Sequence, residues 1–168
     1  MRTMPAIILS VALGGATFVS AAFAQQIDKA TFEKQVAVAN TFEIQSSKLA
    51  LDKADSSDVK AFAEQMIADH TKAGEEFKAA VQQAGDTPPP EELDAKHADI
   101  IAKLEGASGK DFDAAYVEAQ HNAHVEAVNL FSTYAAQPDD EALGAFAKKT
   151  LPTLEGHLEH VKKLDETH

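Results

Sequence analysis

Four side chains able to bind a proton or a metal fall on apolar helix faces of this sequence. Placed at 100° per residue, Glu43 lies about 20° from Phe32, between Val36 and Ala39 in the middle of an apolar stripe. His70 has the same offset from Val59 and is flanked by Met66 and Phe77. His157 lies about 40° from the line through Leu143 and Val161. His124 is less central: it sits about 120° from Phe112, next to Phe131, and borders the core. All four are near the middle of their segments, so an up-down-up-down bundle brings them to a similar level.

A buried carboxylate or imidazole without a partner costs several kcal/mol, so an inward Glu43 needs company, and the three histidines are the available groups. Two readings meet that need. In one, three neutral imidazoles and one carboxylate bind a single borderline transition-metal ion, zinc, copper, iron or nickel. In the other, Glu43 and the histidines form a closed hydrogen-bonded cluster that fixes helix register, with Tyr116 as a further donor. Asp69 points about 100° away from His70 and reads as a rim acceptor or a solvated acid rather than a ligand. A metal held by imidazoles is expected to leave as the pH falls through the histidine range, at about 6.

Other motifs are weaker. Glu118-x-x-His121 has the spacing of di-iron bundle proteins, but His121 lies about 140° from its helix's core direction. A di-iron centre needs about four to six carboxylates, and here only Glu43 is clearly inward. His160 reads as a rim residue, His97 as a boundary residue and His168 as terminal. There is no Gly-x-Ser-x-Gly elbow, and Gly106-Ala-Ser-Gly109-Lys110 lacks the spacing of a phosphate loop. No catalytic residue and no organic cofactor is assigned. An oxidoreductase or hydrolase acting through a bound metal would need an open coordination position.

Positioning these groups takes four long helices. Helical periodicity and Ala, Leu, Glu and Lys dominate segments from about Asp28 to Ala54, from a cap at Ser56 or Ser57 to about Ala84, from about Lys110 to Ala136, and from Asp140 to about Asp165. In the third, Phe112, Tyr116, Ala119, Ala123, Leu130 and Phe131 form the expected stripe. Pro152 inside the fourth is expected to kink it. Gly85-Asp86-Thr87-Pro88-Pro89-Pro90 interrupts the pattern between the second and third, followed by a short amphipathic helix from Glu91 to about Leu104 and a cap at Ser108-x-x-Asp111. The expected fold is all-α: an antiparallel four-helix bundle with a short extra helix in the long crossover between helices 2 and 3.

Composition limits the partners. The chain has 168 residues, no cysteine and a formal charge of -12. An acidic surface disfavours nucleic acid and anionic membranes, and the absence of cysteine excludes thiolate chemistry and disulfides. Residues 1–24 read as a cleavable signal peptide: Arg2, an apolar run from Ala6 to Val19, then Ala22-Phe23-Ala24 as the cleavage site. Cleavage removes the only arginine and leaves 14 lysines against 27 acids, a charge of -13. Without arginine, phosphorylated ligands are not expected. Residues 25–168 are then a single periplasmic domain with no stable membrane anchor, its partners unknown, with basic proteins or cell-envelope components as candidates.

Asn40-Thr-Phe-Glu43, Phe62-Ala-Glu-Gln-Met66-Ile-Ala-Asp69-His70, Phe112-Asp-Ala-Ala-Tyr116 through His124, and Leu151-Pro152-x-Leu154-x-x-His157 together resemble the bacterial family called domain of unknown function 4142. The resemblance extends over about residues 30–165. It implies an exported bundle of ferritin-like fold, assigned to the periplasm or outer membrane, with no established activity. The matching positions are Glu43, Asp69, His70, Tyr116, His124 and His157. The expected function is a non-enzymatic envelope protein with one metal ion at its centre; the alternative is an interaction or stress-response module in which the cluster is purely structural.

Overall fold

The computed structural model describes residues 26–166, and the expected signal peptide and His168 lie outside them. Five α-helices follow one another: α1 Lys29–Lys53, α2 Ser57–Gln83, α3 Ala95–Gly106, α4 Gly109–Ala136 and α5 Glu141–Asp165. Local chemistry sets most of their ends. Asp28, Ser56, Asp94 and Asp140 each occupy an N-cap and accept from the backbone N–H three residues on. At the end of α2, Gly85 adopts φ 84° while the Asp86 N–H reaches the Val81 carbonyl, a closure that glycine makes without strain.

Two ends differ from the sequence reading. The short helix starts at Ala95, because Asp94 captures the His97 N–H and Glu91 to Leu93 stay outside the helix. Ser108 holds the cap position of α4 but makes no side-chain cap bond. Pro152 sits inside α5 without ending it.

α1, α2, α5 and α4 pack as a four-membered ring, and α3 lies against α1 and α4. The cross-helix pairs give the directions. Ser47 meets Tyr116, Ser46 meets Gln120 and Phe32 meets Tyr134, so α1 and α4 are antiparallel. Phe62 meets His160, Asp69 meets His157 and Glu76 meets Lys149, so α2 and α5 are too. Neighbours are thus antiparallel, but the order of directions is up-down-down-up rather than up-down-up-down. The crossover through α3 carries the chain back along the bundle, so α2 and α4 run the same way. This is the ferritin-like all-α bundle.

The core has two apolar halves. One is built around Phe32, Phe77, Phe131, Tyr134 and Phe146, the other around Phe62, Met66, Phe112, Tyr116 and Val161. Phe32 stacks on Tyr134 with centroids 4.0 Å apart. Each large ring buried here contributes about 2–3 kcal/mol of transfer free energy. Between the halves lies a buried polar layer of Glu43, Ser46, His70, Gln120, His124 and His157. At the α1–α2 connection, the buried Asp113 carboxylate accepts from the Asp55 and Ser56 N–H groups at 3.1 and 2.9 Å, tying α4 to that turn.

Candidate metal centre

Each of the three inward histidines is supplied by a different helix, His70 by α2, His124 by α4 and His157 by α5. His124 is wholly buried rather than at the border of the core. α4 touches α1, α3 and α5, so its buried arc is broad and takes in Val117 and Gln120, while Ala119 and Ala123 are only half-buried. The three imidazole centroids stand 5.4 to 5.9 Å apart, and one ring nitrogen from each lies within 4.8 Å of the other two.

The rings do not hydrogen-bond to one another. His70 Nδ1–H donates to Asn40 Oδ1 at 3.1 Å, His124 Nδ1–H to the Gln120 carbonyl at 2.9 Å, and His157 Nε2–H to the Asp69 carboxylate at 2.9 Å. All three acceptors are oxygens without a proton to give, which fixes each tautomer. The remaining nitrogens, His70 Nε2, His124 Nε2 and His157 Nδ1, carry lone pairs, are buried and have no partner. An imidazole whose other nitrogen donates to a carbonyl or carboxylate is oriented and made more basic, the arrangement found behind metal-ligating histidines.

Burial keeps these rings neutral. It pushes His70 well below the usual histidine value, helped by the neighbouring His124 and His157, and pushes His124 down to about 4. It also lowers His157, against the opposing pull of Asp69. Glu43 responds in the other direction: burial pushes its carboxyl up to about 8, so it is protonated at neutral pH. The 3.8 Å approach of Glu43 Oε1 to His124 Nδ1 is therefore a contact between neutral groups and not an ion pair.

Three of the four residues expected at the centre thus converge, and Glu43 stands behind His124, on the side of the nitrogen already bonded to Gln120. Asp69, with its side chain 37% exposed, accepts from His157 Nε2–H. The Tyr116 hydroxyl is paired with Ser47 at 2.8 Å instead of joining the cluster, because its ring packs with Phe112 and Phe62 in the other core half. His97 bonds Asp94 at 2.6 Å and tilts against Phe42, His160 packs edge-on against Phe62, and His121 is half-buried away from the cluster. Sequence reasoning misses Asn40 and Gln120. The available signal is spacing: Asn40 lies one turn before Glu43 and Gln120 one turn before His124, so each shares its neighbour's face.

No helix among the described residues is long and apolar enough to cross a membrane. A solved structure of similar fold is "CopM in the Cu(II)-bound form", with a TM-score of 0.69 and 18% sequence identity over 82% of this chain and 95% of that chain; the likeness is one of fold. No curated protein sequence matches the chain. The sequence model of the family described as "Domain of unknown function (DUF4142)" matches residues 16–164, and the chain belongs to that family.

Proposed function

We propose that this member of the family binds one transition-metal ion through His70 Nε2, His124 Nε2 and His157 Nδ1, outside the cytoplasm and without catalysing a reaction. One observation carries the reading. Three histidines from three helices spend one nitrogen each on an oxygen acceptor and keep the other buried without a partner, and one ring nitrogen of each lies within 4.8 Å of the other two. A cluster serving only to fix register would close its hydrogen bonds internally, and leaving these nitrogens unmatched costs about 1–3 kcal/mol apiece. Glu43 and Asp69 flank the ion's place behind His124 and His157. Neutral imidazoles suit zinc, copper, iron or nickel, and the Cu(II) bound by the similarly folded CopM makes that ion the first to test.

Protein recovered from the periplasmic fraction should begin at Gln25 and carry close to one metal per chain by elemental analysis. The His70→Ala, His157→Ala double variant should carry none. A wild-type protein that is isolated empty and takes up none of zinc, copper, nickel or iron would sink the proposal.

A subtler expectation concerns Gly74. A Cβ added there would lie 2.8 Å from Nδ2 of Asn40, the residue that holds His70 in its tautomer. Gly74→Ala should therefore shift the amide and weaken metal binding about tenfold in competition against a chelator. Fold stability should not fall, since alanine in place of a mid-helix glycine favours the helix by about 1 kcal/mol.

A further inference from the structure

We propose that Asp69 captures the incoming metal ion at the surface and that His157 is the ligand that turns outward to admit it. This rests on the three-histidine reading above and adds how that site is loaded. His70, His124 and His157 are 7%, 0% and 2% exposed, so a side chain has to move before an ion can reach them from water.

The three acceptors behind the rings differ in what they offer a cation. Asn40 gives His70 a neutral amide oxygen, and the Gln120 carbonyl that holds His124 belongs to the backbone of α4. Asp69 alone carries a charge, and its side chain is 37% exposed although the imidazole it holds is buried. One hydrogen bond of 2.9 Å thus joins a carboxylate in contact with water to a member of the cluster. A carboxylate draws in a hydrated cation electrostatically, and its oxygens accept a metal ion as well as an N–H.

The hold on His157 is therefore the one that an ion can loosen. Its Nδ1 has no partner, so the bond to Asp69 is the ring's one hydrogen bond. On another side the ring meets the edge of Phe62, with centroids 6.4 Å apart, an apolar contact with no directional bond to break. Once Asp69 turns its charge to a cation, rotation about the His157 side-chain bonds brings Nδ1 toward the seam between α2 and α5 where Asp69 stands. The return swing sets Nδ1 and its ion against His70 and His124, which keep their own acceptors. Nε2 holds its proton throughout and bonds Asp69 again at the end, so no proton changes place.

The rate of Cu(II) uptake tests this. Cu(II) quenches tyrosine fluorescence, and the chain has two tyrosines and no tryptophan, so one equivalent can be followed by rapid mixing. Asp69→Asn keeps an oxygen for His157 Nε2–H and removes only the charge. It should still take up one copper per chain but associate at least tenfold more slowly, with a weaker dependence on ionic strength than the wild type. Asp69→Glu should restore the rate to within about threefold, and Glu64→Gln, which removes an exposed charge from the same helix, should leave it unchanged. An Asp69→Asn variant that associates as fast as the wild type and differs only in releasing copper sooner would overturn the proposal, reducing Asp69 to orienting His157 and leaving the three-histidine site standing. Equal slowing by Glu64→Gln would overturn it too, since the general field of the surface would then set the rate. A wild-type protein that takes up no copper or other ion fails the earlier reading as well.

Discussion

Replacing His124 by leucine should make the metal-free protein more stable while removing the proposed metal site. His124 is fully buried, and its Nε2 has no partner, so the native side chain carries a desolvation cost of about 1–3 kcal/mol that a bound ion would relieve. Leucine has nearly the same volume and no polar atoms, and the Gln120 carbonyl that loses the imidazole N–H keeps its bond within α4. The expected gain is about 1–2 kcal/mol, or roughly 3–6 °C in the unfolding midpoint measured with a chelator present. Added metal should raise the wild-type midpoint, by about 4 kcal/mol equivalent at a thousandfold excess over the dissociation constant, and leave the variant unmoved. A structural cluster predicts the opposite sign, because breaking a satisfied buried network destabilises. A fall in the midpoint of metal-free His124→Leu would therefore favour the register-fixing reading and count against the metal.

How much of this site is legible in the sequence depends on the size of the neighbouring side chains. In α1 two large residues at the start of the stripe, Phe32 and Val36, set its direction, so Glu43 close to that line reads as buried, as it is. In α4 the stripe runs partly through Ala119 and Ala123, whose methyl groups say little about direction. Both turn toward α3, and His124 consequently looks peripheral in sequence when it is the most enclosed of the three histidines. Helix ends are legible where a cap is local, as at Asp28 and Asp140. The start of α3 is not, since Glu91 and Glu92 have ordinary helix propensity, whereas the outcome turns on which aspartate captures an N–H. The choice of free nitrogen on each ring is beyond reach of periodicity. It is decided by Asn40 on α1 and Asp69 on α2, which act on histidines 30 and 88 positions away, and by a carbonyl one turn back for His124.

The pH dependence of the metal-free protein should show two limbs of opposite sign. His70, His124 and His157 have folded values below the unfolded one of 6.5, about 4 for His124, so the unfolded chain binds more protons between those limits. Their contribution to stability is present above about 6.5 and is lost as the pH falls toward 4. Glu43 behaves in reverse. Its folded value is about 8 against 4.5 unfolded, so the folded chain holds the extra proton, and that stability is lost as the pH rises through about 8. Glu33, also raised by burial, acts in the same sense as Glu43. Each net proton is worth about 1.4 kcal/mol per pH unit. Three imidazoles outweigh the two carboxyls below pH 6.5, and Glu43 alone acts as the pH nears 8, which puts the maximum near pH 6.5. Denaturant titrations from about pH 4 to 9 should trace this dome, and Glu43→Gln should flatten its alkaline side and steepen the acid limb above about pH 4.5, where Glu43 opposes the imidazoles. Stability still climbing between about pH 6.5 and 8 would contradict a protonated Glu43. The same depressed imidazoles bear on metal release: protons compete for the free nitrogens only below their lowered values, so loss of the ion should come at a lower pH than the value of about 6 expected for ordinary histidines.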